Sequence, residues 1–348
     1  MTLLRLLQIA TECNASDLHL QDGSPPVLRV NGELKPIEMD VLEPDQVETL
    51  LLDGLPEEER VHVGDRDYQT SLDVEGVGRV RISLYRQNRS LAASLRLIPA
   101  VAPSLDRIGL PEGARKLCGI TRGLVLVSGP SGTGKTTTLM AMLDHINQTR
   151  AVRIISIGDP VEFVLKPGKS IIILREVGVD TDTFATAVRC ALRQDPDIIH
   201  VGEMRDLATV MMCLTAAEMG HLVMTNLHCL NATDAIRRLI DVFPAEQRQQ
   251  VRYQLAQTLG GIIAQRLVPS VDGRGRIAAY EVLVNTPHIQ QMIQDGAPDF
   301  TPTLETSNAE GMQSLDQSLA ALVGAGTVEW EVAQGYATSP ERLQLFMG

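Results

Sequence analysis

The sequence predicts an α/β protein with a smaller α+β unit ahead of it, and three observations carry that prediction. Near-continuous apolar runs recur beyond residue 120, a strictly alternating pattern fills residues 68–98, and a proline-rich stretch separates the two textures. Strands of a parallel sheet are buried on both faces and read as unbroken apolar runs, whereas antiparallel strands with one wet face alternate.

Taken in order, the segment MTLLRLLQIATECN places Leu3, Leu4, Leu6, Leu7 and Ala10 near helical spacing. It has no basic leading region and no small-residue cleavage site, so it predicts an amphipathic helix and not a signal peptide. The stretch SDLHLQDGSPPVLRVNGEL reads as two short strands about a Gly-Pro turn, with Asn31-Gly32 as a further hairpin signal. Residues 44–60 read as helical. From Tyr68 to Ile98 the apolar positions alternate, through Leu72 and Val74, then Val80, Ile82 and Leu84, then Ala93, Leu95 and Leu97. The first domain is therefore expected over 1–98. The run PAVAPSLDRIGLP carries Pro99, Pro103 and Pro111, which stiffen the chain and disfavour helix, so 99–112 is expected as a linker. The runs GLVLVSG, RIISIGD, SIIIL, DIIHVGE and HLVMTNL then mark the strands of a second domain over 113–290. Leu315, Leu319, Leu322 and Val323 recur at helical spacing, which predicts a helical region over 291–348.

The bulk properties restrict the function. The chain has 348 residues, 44% of them hydrophobic and 21% charged, enough for two compact cores and with no apolar run of membrane-spanning length. Lys and Arg number 31 against 43 Asp and Glu, a net charge of -12 that gives no support to nonspecific nucleic-acid binding. Aromatic residues at 3% leave few stacking platforms for single strands. Cys13, Cys118, Cys190, Cys213 and Cys229 are odd in number and never in a C-x-x-C pair, so neither a disulfide framework nor structural zinc is expected and a reducing cytoplasm fits.

The sharpest chemical signal is Gly129-Pro130-Ser131-Gly132-Thr133-Gly134-Lys135-Thr136, followed by Thr137, between the apolar run LVLVS and the helical TTLMAMLDHI. Glycines let backbone N–H groups curl around phosphate oxygens, a lysine reaches the β- and γ-phosphates, and the threonine hydroxyl ligates magnesium. A P-loop binds nucleotide without necessarily hydrolysing it, so carboxylates are sought at the ends of the other strands. Glu162, after RIISI in GDPVEF, is placed to orient or deprotonate an attacking water. Glu203, after DIIHV in GEMRD, stands where a metal-holding acid belongs, so Thr136 and Glu203 are the expected metal ligands. Taken by spacing alone, each acid is also compatible with a solvated loop. His221 and His228 bracket the run LVMTNL. With no third ligand nearby they make a poor zinc site, and spacing leaves open whether either senses phosphate or is a structurally satisfied histidine. His200, inside an apolar strand, reads as structural.

These blocks resemble, in content and order, the PilT-type motor ATPases of type IV pili within the type II/type IV secretion ATPase superfamily. The resemblance spans nearly the whole chain: ASDLHL, GRVRISLYRQNRSLAASLRLIP, GPSGTGKTTT, GDPVEF, VGVDTDTF, ALRQDPDIIHVGEMRD, LTAAEMGHLVMTNLH, LIDVFPAEQR and GMQSLDQSLAALVGAGTV. It implies a PAS-like first domain, a RecA-like second domain and a ring hexamer. It also implies Lys135 and Thr136 as the Walker A pair, Glu162 as the catalytic carboxylate, Glu203 as the Walker B acid, and His221 and His228 as a histidine box. Arg81 and Arg96 match first-domain arginines that complete a nucleotide site. A guanidinium supplied on domain movement would stabilise charge on the transferring phosphoryl group. Their alternation with Val80, Ile82, Leu95 and Leu97 places them opposite the core face.

Two departures stand out. The family's acidic box begins with Glu, where this chain has Gly158, and the family's AIRNLIRE reads HIQQMIQD over His288–Asp295, with Gln290 and Gln294 in place of arginines. Glutamine cannot form the charge-assisted contacts of a guanidinium. The expected function is a cytoplasmic, ATP- and Mg2+-dependent hydrolase, a homohexamer at the inner-membrane pilus base that drives pilus retraction through a membrane platform protein. The extra amino-terminal modules and tetracysteine insertion of extension ATPases are not in the sequence. The rival is an accessory nucleotide-binding paralogue that supports a catalytic pilus ATPase. A nucleic-acid motor is disfavoured by the acidic balance.

Overall fold

The computed structural model describes residues 2–30, 32–64, 67–98, 102–273 and 275–347. Asn31 of the expected hairpin signal and residues 99–101 of the expected linker lie outside them. Chain contacts divide the protein into two units, Met1–Val101 with Pro160–Val164, and Ala102–Asp159 with Leu165–Gly348.

The first unit runs α1 (Leu3–Glu12), β1 (Asp17–Leu20), β2 (Val27–Val30), β3 (Glu33–Pro36), α2 (Pro44–Gly54), α3 (Glu57–Arg60), β4 (Tyr68–Val74), β5 (Gly78–Gln87) and β6 (Ser90–Ile98). The Thr2 hydroxyl accepts from Arg5 N–H at 3.3 Å and caps α1, whose Leu3, Leu6, Leu7 and Ala10 form its buried stripe. Each such leucine contributes about 1.5–3 kcal/mol of burial. The expected single helix over 44–60 is two, because Pro56 interrupts it and stands as the N-cap of α3. The strands form an antiparallel sheet in the order β3-β2-β1-β6-β5-β4. Val80, Ile82 and Leu84 of β5 and Leu91, Ala93 and Leu95 of β6 join the leucines of α1 and α2 in one core. The β5–β6 hairpin turns on two residues, Asn88 and Arg89, both with positive φ (47° and 70°), the mark of a type I′ turn.

The second unit runs α4 (Glu112–Lys116), β7 (Gly123–Ser128), α5 (Lys135–Thr149), β8 (Arg153–Gly158), β9 (Ile171–Glu176), α6 (Phe184–Ala191), β10 (Ile198–Val201), α7 (Leu207–Glu218) and β11 (Leu222–Leu227). It continues through α8 (Ala232–Asp241), α9 (Arg248–Thr258), β12 (Leu259–Pro269), β13 (Arg276–Val284), α10 (Pro287–Asp295), α11 (Thr301–Thr306), α12 (Leu315–Gly324), α13 (Trp330–Tyr336) and α14 (Pro340–Met347). Its sheet has the order β13-β12-β7-β11-β10-β8-β9, parallel throughout except for the antiparallel β12–β13 pair. Every residue of β7, β10 and β11 is buried, which is why those segments read as unbroken apolar runs. The sequence reading did not assign β12 and β13, whose apolar positions are interrupted by Gln265, Arg266 and Glu281. Val268 and Ala279 of that hairpin pack with Leu315, Leu319 and Leu343 of the carboxyl-terminal helices in a second small core.

Candidate functional site

The parallel strands deliver their carboxyl ends to one edge of the sheet, where loops and helix N-termini collect. Strand β7 ends at Ser128, and the loop that follows bends through Gly129, Gly132 and Gly134, with φ of 148°, 77° and 84°. Those values are open to glycine at little cost and strained for other residues. Thr133 Oγ1 donates to Pro130 O at 2.9 Å and ties the loop across its base, while Ser131 and Gly132 form its exposed tip. Gly134 is the N-cap of α5, so Lys135, Thr136 and Thr137 occupy its first turn. Free N–H groups and the positive end of the helix dipole make this an anion-binding site by construction.

The Lys135 ammonium donates to Pro130 O at 2.9 Å and lies 3.2 Å from His228 Nδ1. An ammonium has no acceptor, so Nδ1 is the imidazole's lone-pair nitrogen and Nε2 carries the proton. Nε2 sits 3.3 Å from Glu203 Oε1, consistent with that tautomer donating to the carboxylate. Burial first, and then the neighbouring Lys135 charge, hold the His228 pKa below its ordinary value, against the opposing pull of Glu203. The other carboxylate oxygen of Glu203 accepts from Arg205 Nε at 2.8 Å, and Arg205 NH1 lies 3.6 Å from Asp159 Oδ2. The result is a continuous polar chain, Asp159–Arg205–Glu203–His228–Lys135.

Local structure fixes each member. Asp206 Oδ1 accepts from Thr209 N–H at 2.9 Å and caps α7, so Glu203 sits on a short loop pinned at both ends. Ser128 Oγ donates to Cys229 O at 2.8 Å and accepts from Cys229 N–H at 3.2 Å, which binds the end of β7 to the residue after His228. Asn231 Oδ1 caps α8 on Asp234 N–H at 2.7 Å, and Glu281 Oε1 accepts from Ala232 N–H at 2.6 Å.

Of the residues expected from sequence, the second unit thus brings together Lys135, Thr136, Thr137, Glu203 and His228. It does not bring His221 to them. That side chain lies at the amino end of β11, about 20 Å from His228 by strand rise, where its Nδ1 meets Pro196 O at 2.8 Å. His200 is buried in β10 with Nδ1 2.8 Å from Ser156 Oγ, and burial lowers its pKa to about 4, as suits a structural, neutral imidazole. Glu162 is part-buried within Pro160–Val164, the segment whose contacts group with the first unit. In that unit Arg81 and Arg96 face each other as direct cross-strand partners on the face opposite the core. Arg96 Nε bonds Asp17 Oδ1 at 2.9 Å, and Arg81 NH2 bonds Gln69 Oε1 at 3.1 Å. Sequence reasoning quoted Arg205 and Asp159 without giving them a role. The signal was available: an arginine two residues past a strand-end acid reaches back to it.

Among the described residues no cluster of three or more His, Cys, Asp or Glu forms a ready metal cage, and no helix is long and apolar enough to cross a membrane. The family described as Type II/IV secretion system protein matches residues 92–334. The chain is 42% identical to the type IV pilus retraction ATPase PilT of Pseudomonas aeruginosa, over 98% of this chain and 99% of that protein. It is 38% identical to the type IV pilus ATPase PilU of the same organism, over 99% of this chain and 90% of that one. A crystal structure of the pilus retraction motor PilT with bound ADP superposes with a TM-score of 0.89 at 41% identity, covering 99% of each chain. With its P-loop, its strand-end acid and its mixed sheet in that arrangement, the chain belongs to the type II/IV secretion system protein family, as a PilT-like ATPase.

Proposed function

We propose that the protein is the ATP-hydrolysing motor of type IV pilus retraction, a homohexamer working at the cytoplasmic face of the inner membrane through a platform protein. The observation that carries the reading is the P-loop lysine held between its own loop and a strand-end His–Glu pair. It is supported by the likeness to the retraction ATPase over nearly the full length of both chains. Glu162 is proposed to orient the attacking water, and Arg81 and Arg96 to meet the nucleotide's phosphates in the assembled ring. The net charge of -12 supports work on protein and not on nucleic acid.

Magnesium suits the donors present. It takes hard oxygen ligands and keeps several waters, so it needs a carboxylate, a hydroxyl and phosphate oxygens, not an all-protein cage. Thr136 and Glu203 would hold it, and what it would supply there is neutralisation of charge on the phosphate oxygens. The neutral His228 keeps a proton on Nε2 toward Glu203, and Lys135 remains charged toward the phosphate site.

The accessory reading rests on Gly158 and on the glutamines of α10, which remove one acid and two arginines relative to the family pattern. Steady-state ATPase assays on the purified chain separate the two. Turnover that falls at least about 100-fold in Glu162→Gln supports the motor. Negligible turnover in both forms, with ADP binding and association with a pilus ATPase retained, supports the accessory role. In cells, deletion is expected to leave excess, unretracted pili.

A further inference from the structure

The second unit contains a side chain that touches the P-loop from outside every motif of the sequence. Strand β12 pairs in parallel with β7 through Ile263↔Val127 and Ala264↔Ser128, so the next residue, Gln265, stands level with the start of the loop. Gln265 is 1% exposed. Its Nε2 donates to Thr133 O at 2.6 Å. A Cβ built on Gly129 would lie 2.5 Å from Gln265 O, and one built on Gly134 would lie 3.3 Å from Gln265 Nε2. The loop's first glycine therefore rests on this residue's backbone, and its last two peptides before α5 rest on its side chain. Among the described residues Gln265 Oε1 is buried with no hydrogen-bond partner, a destabilising arrangement for an amide that only packs.

We propose that Gln265 is a positioning residue for phosphate binding: its amide fixes the Thr133–Gly134 peptide so that the loop N–H groups and Lys135 are aimed before nucleotide arrives. The effect is preorganisation, since an anchored loop loses less freedom on binding. It acts through the loop and touches no reacting atom. The proposal rests on the nucleotide-binding reading of the P-loop, and the test keeps the two apart.

ADP affinity and amide hydrogen exchange over residues 133–138 are measured on the full chain, for the parent, Gln265→Met and Gln265→Glu. Methionine keeps the length and removes the donor. Gln265→Met is expected to weaken ADP binding about tenfold and to speed exchange at those amides in the free protein. In Gln265→Glu the carboxyl donates to Thr133 O only when protonated, so its ADP affinity, taken as a ratio to the parent, should recover as pH falls from about 8 to about 5.5. A carboxylate beside the loop also repels phosphate, so the deciding readout is the ligand-free protein: a residue that merely fills space leaves exchange at residues 133–138, taken as a ratio to the parent, independent of pH. Parent-like ADP binding and exchange in Gln265→Met overturn the proposal. If Gln265→Met does not fold, an exchange ratio for ligand-free Gln265→Glu that stays flat with pH overturns it. A parent that binds no ADP while exchange still accelerates in Gln265→Met sinks the nucleotide reading and leaves the brace standing.

Discussion

At the amino end of β11 the His221 imidazole meets the Pro196 carbonyl, whereas at the carboxyl end His228 bridges Lys135 and Glu203. Both residues flank the same buried strand. The difference is one of direction: in a parallel sheet all carboxyl ends share an edge, so the groups that follow β7, β10 and β11 converge there, while the amino ends receive only returning helices. Local sequence around a histidine does not reveal the edge on which it lies. Strand direction does.

The comparison breaks most sharply in kinetics. His228→Ala is expected to lower kcat/KM for ATP about 10- to 100-fold by releasing Lys135 and Glu203 from their common partner. His221→Ala should stay within about twofold. Equal losses in both variants would mean that His221 reaches a nucleotide in some other way, and steady-state assays of the two purified proteins decide it.

Two buried ionisable groups of the sheet, His200 of β10 and Glu281 of β13, have opposed preferences. Burial lowers His200 from 6.5 to about 4 and raises Glu281 from 4.5 to about 7. Across the histidine window the unfolded chain binds a proton that the folded one refuses, so His200 makes stability fall as pH drops from 6.5 to about 4. Across the glutamate window the folded chain holds a proton that the unfolded one has lost, so Glu281 makes stability fall as pH rises from 4.5 to about 7. Where the windows overlap the two slopes oppose, each at most about 1.4 kcal/mol per pH unit. Urea melts should show this by difference from the parent: His200→Gln removes the acid-side loss, and Glu281→Gln removes the loss on raising pH. Variants whose melts track the parent at every pH would contradict the burial argument.

The smallest expected effect lies in the first unit, whose antiparallel strands turn on local geometry where the second unit depends on crossovers. Arg89 holds φ at 70° in a two-residue turn, a conformation that glycine adopts freely. Arg89→Gly should raise stability by about 0.5–1 kcal/mol in urea melts. A loss would show that the arginine side chain contributes more than the turn strain removes.

Much of the molecule was legible in advance. The strands β7, β8, β10 and β11 could be read because burial on both faces writes an unbroken apolar run, and β4 to β6 because burial on one face writes an alternation. Pro56 was overlooked within an otherwise helical stretch and splits α2 from α3. The β12–β13 hairpin escaped because Gln265, Arg266 and Glu281 interrupt its apolar pattern, and two of those three make contacts that support the nucleotide edge. Arg205 was in plain view, yet its engagement of both Glu203 and Asp159 depends on β8 lying beside β10.

By itself, then, the sequence determined the P-loop, the positions of most strands and the place of Glu203 just past a strand end, because glycine conformations, caps and burial periodicity are written within a few residues of where they act. Tertiary structure alone decided which histidine joins Lys135, how Arg205 closes on Glu203, and that Gln265 lies against Thr133 across 132 positions of chain. Those contacts follow from strand order, and strand order is set by how whole elements bury one another, not by any local pattern.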